Sequence, residues 1–204
     1  MRVLVPFDGR TPCSRLAPVL DSDERAAFAG RLRDDVLDAV RAAGGHPELV
    51  ATTPIDADVP VTVDDRSLSA AVNAALDADE EPTAVVMADL GLATPRALSR
   101  LFVASGDVVI APGRGGGTNA LVVRHPDFRV DYHGASCRDH RRAAHAVGAS
   151  LRELDSHRLA TDIDEPGDLA ELLLHADGRA TRWLRDAGFR LSTGDGRVAV
   201  ERHL

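Results

Sequence analysis

The sequence predicts a doubly wound α/β domain in which helices cover both faces of one Rossmann-type sheet. Short apolar runs alternate with longer segments that begin at capping residues, as β and α units do. Residues 83–88 are almost entirely apolar, which is typical of a central strand buried on both faces. A chain of 204 residues with 44% hydrophobic content suffices for one such domain. Right-handed crossovers are expected between its strands.

Capping residues and glycines mark the elements in the first half of the chain. Ser22 is placed to cap a helix over residues 23–43, and Gly44-Gly45 would end it. Ser67 is placed to cap a second helix that runs through residue 78. The predicted strands of this half are residues 2–6, 48–52, 59–63 and 83–88.

The second half continues the alternation and ends in a small appendage. Thr94 and Pro95 form the favoured N-cap and N1 pair of a helix, and residues 107–111 form the next strand. The remaining predicted elements are helices at 138–147, 166–175 and 180–187, a strand at 151–154, and a hairpin of strands 189–192 and 197–201 whose turn contains Asp195-Gly196. We therefore expect a main domain of residues 1–177, with the helix and hairpin of residues 178–204 attached to it.

Residues 107–121, DVVIAPGRGGGTNAL, carry the most informative local pattern. A β-branched strand stops at Pro112, a glycine-rich turn follows, and Thr118-Asn119 begin another strand. Glycines let backbone N–H groups approach a ligand and form a concavity suited to anions. The segment matches neither the dinucleotide fingerprint nor the P-loop, because the following helix and the lysine are absent. A flexible surface turn is the alternative interpretation.

Four loops are expected to meet at one edge of the sheet. They are residues 7–16, 64–69, 89–94 and 112–119, and each directly follows a predicted strand. Ligands of doubly wound sheets bind beyond the carboxyl ends of the strands. The sequence therefore predicts the ligand site there.

Charge and composition exclude several classes of protein. The chain has no lysine, and its 24 basic residues are outnumbered by 32 acids, for a formal charge of −8. Such a balance fits a cytoplasm at high salt, although GC-rich coding would also deplete lysine. A net negative chain without a basic run is not expected to bind nucleic acid. No run is long enough to span a membrane, so we expect a cytoplasmic protein.

Cysteine and histidine give no sign of a metal centre in the linear sequence. Cys13 and Cys137 are expected to be free thiols. The eight histidines are scattered without metal-ligand spacing. His133, His140 and His145 are the densest group, and we expect them to be partly exposed. Anionic ligands must then be held by arginine, by backbone N–H groups or by a bound metal.

Four segments carry a family resemblance. The most specific is PGRGGGTNAL at residues 112–121. The others are residues 5–20, which end in SRLAPVL, the MADL of residues 87–90, and the DIDEPGDL of residues 162–169. In order and spacing these segments resemble the 2-phospho-L-lactate guanylyltransferases of coenzyme F-420 biosynthesis. The resemblance covers roughly residues 1–176.

The resemblance implies a single-domain nucleotidyltransferase with a glycosyltransferase-A-like fold. Its expected reaction joins GTP and 2-phospho-L-lactate to give lactyl-2-diphospho-5′-guanosine and pyrophosphate. Charge accumulates on the phosphates in such a reaction, so Mg²⁺ or Mn²⁺ is the expected cofactor. The resemblance also implies a homodimer, for which the edge of the C-terminal hairpin is a plausible contact.

Three aspartates are the candidate metal ligands. Asp89 directly follows the central strand, and the resemblance implies that it is also catalytic. Asp162 and Asp164 are one residue apart, so an extended segment points both carboxylates to the same side. Mg²⁺ prefers a few carboxylates and keeps several waters. The alternative is that these acids merely cap nearby backbone groups or prepare a helix start.

Arg15 is the candidate catalytic and nucleotide-binding cation. It lies in the first loop, and a guanidinium can grip a phosphate through two hydrogen bonds. Arg10 is a second candidate, and Asn73 matches a residue near the family's base pocket. The family usually carries lysine where this chain has Cys13, so Arg10 is a possible substitute. The alternatives are a surface arginine on a helix and a solvated Asn73.

The acceptor is expected to contact the glycine-rich loop and the start of the next helix. By the resemblance, the hydroxyls of Thr118 and Ser136 hold its phosphate. Ser136 is also a natural N-cap for the helix that follows. The other candidate contacts are Gly116, Gly117, Asn119 and His133. The alternative for His133 is an ordinary exposed loop histidine.

Two rival functions remain open at this point. One is a nucleotidyltransferase of the same fold with another acceptor, such as phosphoenolpyruvate, 3-phosphoglycerate, a sugar phosphate or a molybdenum cofactor. The first loop, FDGRTP at residues 7–12, is not glycine-rich, which speaks against the last two. The other rival is a nucleotide-binding protein with impaired catalysis, which the missing lysine at position 13 keeps open.

Overall fold

The computed structural model of the chain describes residues 1–78, 81–193, 196 and 198–203. Within these residues the strands are β1 (Arg2–Phe7), β2 (His46–Ala51), β3 (Val61–Val63), β4 (Thr83–Val86), β5 (Val108–Pro112), β6 (Thr118–Val123), β7 (Leu151–Glu153), β8 (Phe189–Ser192) and β9 (Ala199–Arg202). The helices are α1 (Ser22–Ala42), α2 (Leu68–Asp77), α3 (Pro95–Val103), α4 (Ser136–Ala146), α5 (His157–Ala160), α6 (Asp168–His175) and α7 (Arg179–Asp186). Helix α5 lies where the sequence pattern predicts no element.

The central sheet has the strand order β3-β2-β1-β4-β6-β5-β7. Every neighbouring pair is parallel except the two that involve β6, which runs antiparallel to β4 and β5. The predicted α/β class is confirmed, but the sequence pattern does not predict that one strand of the sheet is reversed. Because β6 runs against its neighbours, its first residue, Thr118, pairs with Pro112 at the edge where the parallel strands end.

Helices cover both faces of the sheet, as predicted. In β1, Val3 and Val5 pack on the face covered by α1, α3 and α5, whereas Leu4 packs on the face covered by α2 and α4. A third cluster, which includes Leu16 and Phe28, joins the first loop to α1, α6, α7 and the C-terminal hairpin. This third cluster anchors the first loop beside the carboxyl edge of the sheet.

Helix caps show where local sequence decided the structure. Ser67 and Thr94 each accept a hydrogen bond from the backbone N–H three residues later, as predicted. The prediction of Ser22 as the cap of α1 is wrong. Asp21 caps it, because its carboxylate accepts a hydrogen bond from the Glu24 N–H at 2.9 Å while the Glu24 carboxylate accepts one from the Asp21 N–H at 3.0 Å. This reciprocal capping box satisfies two N–H groups rather than one.

The C-terminal segment packs on the domain through α1. The Asp35 carboxylate accepts hydrogen bonds from the backbone N–H groups of Arg179 and Ala180 at 2.8 and 2.9 Å, which caps α7 from another helix. Strands β8 and β9 form the expected antiparallel hairpin. Of its predicted turn, Gly194 and Asp195 lie outside the described residues. No helix in the described ranges is long and apolar enough to cross a membrane.

Candidate active site

A pocket opens at the carboxyl edge of the sheet, between the first loop and the segment before α6. It is lined by the end of β1, the residues after β4 and side chains of α1, and the polar groups that reach it include Asp8, Cys13, Asp89 and Asp164. Two of the four loops that the sequence places at this edge therefore contribute to it, those of residues 7–16 and 89–94. Ile163 and Asp164 complete the wall.

Asp89 is the most unusual side chain of the pocket. Its Oδ1 atom is buried and has no hydrogen-bond partner among the described residues. Burial, and after it the negative charges of Asp162 and Asp164, raise the pKa of Asp89 to about 7. The Asp89 carbonyl accepts a hydrogen bond from the Ile163 N–H at 3.1 Å, which fixes the two acid-bearing segments side by side.

Asp164 lies on the opposite wall of the pocket, and Asp162 precedes it by two residues. Burial raises the pKa of Asp164, and the neighbouring Arg15 partly offsets this effect. Asp162 accepts a hydrogen bond from the Asn119 amide at 3.3 Å. The Asp168 carboxylate accepts hydrogen bonds from the backbone N–H groups of residues 164 and 165, at 3.3 and 2.9 Å, and so shapes the turn. Asp164 is thus held by α6, and Asp162 is held by β6.

These carboxylates fit a bound divalent cation. A buried carboxylate oxygen without a partner costs free energy unless a donor or a metal satisfies it. The charges of Asp162 and Asp164 raise the pKa of Asp89, and that of Asp162 raises the pKa of Asp164, so these acids form a field that favours positive charge. Their ligand atoms do not form a tight triad in which all lie within 4.8 Å of one another. A magnesium ion that keeps several waters does not require one.

Arg15 pairs with the acid cluster and is still largely exposed to solvent. It lies in a short 3₁₀ helix, Ser14–Leu16, and Leu16 is fully buried beneath it. The guanidinium Nη1 lies 2.6 Å from Asp164 Oδ2, and the side chain remains 65% exposed. An arginine and a candidate metal ligand therefore neutralise each other in this structure. The exposed side of the guanidinium is available to a phosphate.

Arg10 occupies a different part of the edge. Its Nη2 lies 3.0 Å from Asp65 Oδ2, and the side chain is 53% exposed. It lines a shallow groove with Thr52 and Asp64 rather than the pocket that contains Asp89. Arg10 is therefore not placed as a substitute for the family's lysine beside the acid cluster.

Cys13 stands inside the pocket. Its φ of 49° is in the left-handed region, which is uncommon for a residue other than glycine. Burial, and after it the charges of Asp89 and Asp164, raise the pKa of the Cys13 thiol to about 12. Burial disfavours any charge at this position, but the negative charges of Asp89 and Asp164, which disfavour a thiolate, would favour a positive side chain such as the family's lysine.

The glycine-rich loop is a tight turn between β5 and β6. Gly113 N–H donates to the Gly117 carbonyl at 2.9 Å, and Gly116 N–H donates to the Gly113 carbonyl at 3.0 Å. Gly116 has a φ of +85°, which a side chain would strain. A Cβ at Gly113 would collide with the Asn119 amide, so this glycine makes room for the side chain that holds Asp162. These hydrogen bonds close the loop into a defined turn.

Thr118 and Ser136 meet beneath the loop in a buried polar network. Ser136 Oγ accepts a hydrogen bond from the Thr118 N–H at 3.0 Å. Thr118 Oγ1 lies 2.8 Å from Nδ1 of His140, a fully buried histidine. Ser136 begins α4 instead of capping it, and the N-cap is Ala135. The prediction of an N-cap is wrong because the Ser136 hydroxyl serves the neighbouring strand instead.

His140 is a residue that the sequence interpretation placed wrongly. It was expected to be partly exposed, but it is buried against Phe128 and Tyr132. Burial lowers its pKa to about 4, so the imidazole is neutral at physiological pH. Its Nε2 accepts a hydrogen bond from the Asp131 N–H at 3.0 Å. His140 must then donate through Nδ1 to Thr118 Oγ1. No local sequence pattern predicts this role.

His133 and Asn73 lie away from the acid cluster. His133 is 77% exposed and pairs with Asp131, which raises the pKa of the imidazole. Asn73 donates to the Val130 carbonyl at 3.0 Å and accepts from the Val130 N–H at 2.8 Å. The Asn73 amide is thus used to fix the loop before α4. This geometry gives the expected base contact no support.

Comparison with known proteins identifies the family. Residues 1–203 match the family model described as guanylyl transferase CofC like. The chain belongs to this family. It is similar to the 2-phospho-L-lactate guanylyltransferase of Halomicrobium mukohataei, with 64% identity over 202 residues that cover 99% of this chain and 100% of that protein. The enzyme of the same name from Haloferax volcanii is 62% identical over 203 residues, 99% of this chain and 98% of that protein.

Solved structures support the fold alone. A nucleotidyl transferase from Methanothermobacter superposes with a TM-score of 0.59 at 16% identity, over 91% of this chain and 98% of that one. A 2-C-methyl-D-erythritol 4-phosphate cytidylyltransferase from Thermus thermophilus superposes with a TM-score of 0.51 at 16% identity, over 90% of this chain and 98% of that one. The nucleotidyltransferase fold that the resemblance implied is confirmed.

Proposed function

We propose that this chain joins GTP and 2-phospho-L-lactate to give lactyl-2-diphospho-5′-guanosine and pyrophosphate, a step of coenzyme F-420 biosynthesis. The similarity to enzymes of that name over nearly the whole chain supports the substrates. The observation that carries the chemistry is Asp89, which lines the pocket with one buried carboxylate oxygen and whose pKa is raised by the nearby charges of Asp162 and Asp164. In the reaction, a phosphate oxygen of the acceptor attacks the α-phosphorus of GTP, and the bond to pyrophosphate breaks.

Asp89, Asp162 and Asp164 would hold Mg²⁺ or Mn²⁺ in this proposal. The bound cation would neutralise phosphate oxygens and so make the α-phosphorus easier to attack. Arg15 lies against Asp164 and is exposed on its other side, so it is positioned to contact the triphosphate. It would stabilise the negative charge that moves onto the leaving pyrophosphate.

The acceptor would lie on the glycine-rich loop, with its phosphate near residues 116–119. Backbone N–H groups and the hydroxyls of Thr118 and Ser136 would donate to that phosphate. Because both hydroxyls also bond within the protein, their first effect is to hold the loop in shape. His133 would approach from the exposed side as an additional donor, since Asp131 favours its protonated form.

The decisive experiment is a pyrophosphate-release assay at high salt with Mg²⁺. GTP and 2-phospho-L-lactate should support turnover, whereas omission of the phospho-acid should abolish it. The matched protein controls are Asp89→Asn, which should be inactive, and Asp127→Asn at an exposed aspartate, which should be active. Turnover with phosphoenolpyruvate or 3-phosphoglycerate but not with 2-phospho-L-lactate would replace the acceptor. No turnover with any phospho-acid would contradict the proposal.

The proposal extends to the setting of the enzyme. GTP and phospho-acids are cytoplasmic metabolites, so the reaction belongs in the cytoplasm. A homodimer is proposed on the family resemblance, with the exposed edge of the β8-β9 hairpin as its contact. Sedimentation equilibrium at high salt would measure the mass, and a monomer at micromolar concentration would contradict this part.

A further inference from the structure

A second group of potential metal ligands lies outside the pocket. His157, Glu171 and His175 offer ligand atoms that all lie within 4.8 Å of one another. His157 comes from α5, whereas Glu171 and His175 are one turn apart on the same face of α6. The sequence interpretation found no metal-ligand spacing among the histidines, and the fold corrects it by bringing two of them together.

The distances in this group match the spacing of ligands around an ion. Nε2 of His157 lies 3.8 Å from Oε2 of Glu171, and Nε2 of His175 lies 3.5 Å from the same oxygen. Both distances exceed the usual N–H···O hydrogen bond of about 2.7–3.2 Å. Ligand atoms held about 2.1 Å from a tetrahedral ion lie about 3.4 Å apart. The three side chains are therefore close to a ligand arrangement.

The surroundings orient these side chains independently of any ion. Arg158, the neighbour of His157, donates to the His175 carbonyl at 3.1 Å and so ties the two segments together. Arg114 Nη1 lies 3.9 Å from Oε1 of Glu171, which leaves Oε2 as the oxygen that faces the imidazoles. The two imidazole rings are perpendicular, with centroids 5.5 Å apart.

We propose that His157, Glu171 and His175 bind one divalent transition-metal ion of the Zn²⁺ type. Two imidazoles and one carboxylate suit Zn²⁺, with water in the fourth position, and do not suit Mg²⁺, which prefers oxygen ligands. The ion would join α5 to α6. Because residues 161–167 connect these helices, it would close the segment that carries Asp162 and Asp164 into a loop. The proposed function does not depend on this site.

Zinc binding to the full-length protein tests the proposal. The untagged protein is stripped with a chelator, dialysed and titrated with Zn²⁺ alone by calorimetry, with the thiols blocked. We expect one ion per chain. Loss of a hydrogen bond to a metal ligand already costs about 10–100-fold in affinity, so His157→Gln and His175→Gln should each weaken binding at least about tenfold. His145→Gln, at an exposed histidine of α4, is the matched control and should bind as the parent does.

Three further measurements separate this site from the acid pocket. Asp89→Asn should retain Zn²⁺ binding, and excess Mg²⁺ should not displace the ion. Hydrogen exchange at residues 161–167 should slow when Zn²⁺ is added to the parent protein but not to His175→Gln. The substituted histidines are 56% and 44% exposed, so the variants should fold. Zinc binding that is unchanged in both histidine variants, or that is lost in Asp89→Asn, would overturn the proposal.

Discussion

Replacement of Asp89 by asparagine should remove activity and yet stabilise the metal-free protein. In the folded chain the pKa of Asp89 is raised from 3.8 to about 7, first by burial and then by Asp162 and Asp164. Each pKa unit corresponds to about 1.4 kcal/mol, so ionised Asp89 lowers the free energy of unfolding by about 4 kcal/mol. Asparagine is neutral and similar in size, but its own buried amide costs about 1–3 kcal/mol. We expect a net gain of about 1–3 kcal/mol near pH 8.

The pH dependence has a definite sign. Because the pKa of Asp89 is higher in the folded state, the stability associated with its proton is fully present below pH 3.8 and is lost as the pH rises through about 7. The advantage of Asp89→Asn should therefore grow from about pH 4 to about pH 7 and level off above that. In the parent protein, Mg²⁺ binding needs the ionised carboxylate, so it should strengthen over the same range.

Thermal unfolding in a chelator at high salt measures this effect. For a chain of this length, the expected gain raises the melting temperature near neutral pH by about 2–10 °C. Asp127→Asn controls for the loss of one negative charge at an exposed position. Added Mg²⁺ should raise the melting temperature of the parent and leave that of Asp89→Asn unchanged. An Asp89→Asn protein that is less stable than the parent near pH 8 would refute the argument that the ionised Asp89 carboxylate destabilises the metal-free protein.

The remaining predictions concern the two substrates. Arg15→Ala should weaken GTP binding by about 1.5–3 kcal/mol, which is the scale of a charge-assisted hydrogen bond. It should also raise the pKa of Asp164 further, because the Arg15 charge lowers that pKa in the parent protein. Unchanged binding in a GTP titration would remove Arg15 from the nucleotide site. Cys13→Lys should keep or improve pyrophosphate release, because Asp164 would attract the ammonium group; loss of activity would show that the position is packed rather than open to ligand. Thr118→Val and Ser136→Ala should raise KM for the phospho-acid more than for GTP, because each removes a donor worth about 1–3 kcal/mol. A lower melting temperature with both KM values unchanged would make these hydroxyls purely structural.

Local patterns predicted the elements, since caps and apolar runs are short-range properties of a sequence. Thr94-Pro95 begins α3 and Ser67 caps α2, as expected. The central strand was predicted from its continuous apolar run and is fully buried at residues 83–86. The cap of α1 was misplaced by one residue because Asp21 and Ser22 both have suitable side chains, and only Asp21 pairs with Glu24.

Long-range contacts set the limit of the prediction for the site. The three aspartates of the acid cluster could be chosen from the sequence, because Asp89 directly follows the central strand and Asp162 and Asp164 lie in the DIDEPGDL segment. No such signal shows that Arg15 pairs with Asp164 or that His140 is buried beneath Thr118. These contacts join residues 149 and 22 positions apart, and the tertiary fold alone determines them.

Because β6 is reversed, the length of the glycine-rich loop matters as well as its glycines at positions 113 and 116. Side chains alternate along a strand, so Thr118 turns toward His140 on one face while Asn119 turns toward Asp162 on the other. A slip of one residue would exchange them and place an amide where the hydroxyl belongs. Gly115 has space for a side chain, since an added Cβ meets nothing within 4 Å, so the loop can accept a substitution there. Loss of one residue from the loop would shift the register of β6 and exchange the faces on which Thr118 and Asn119 lie.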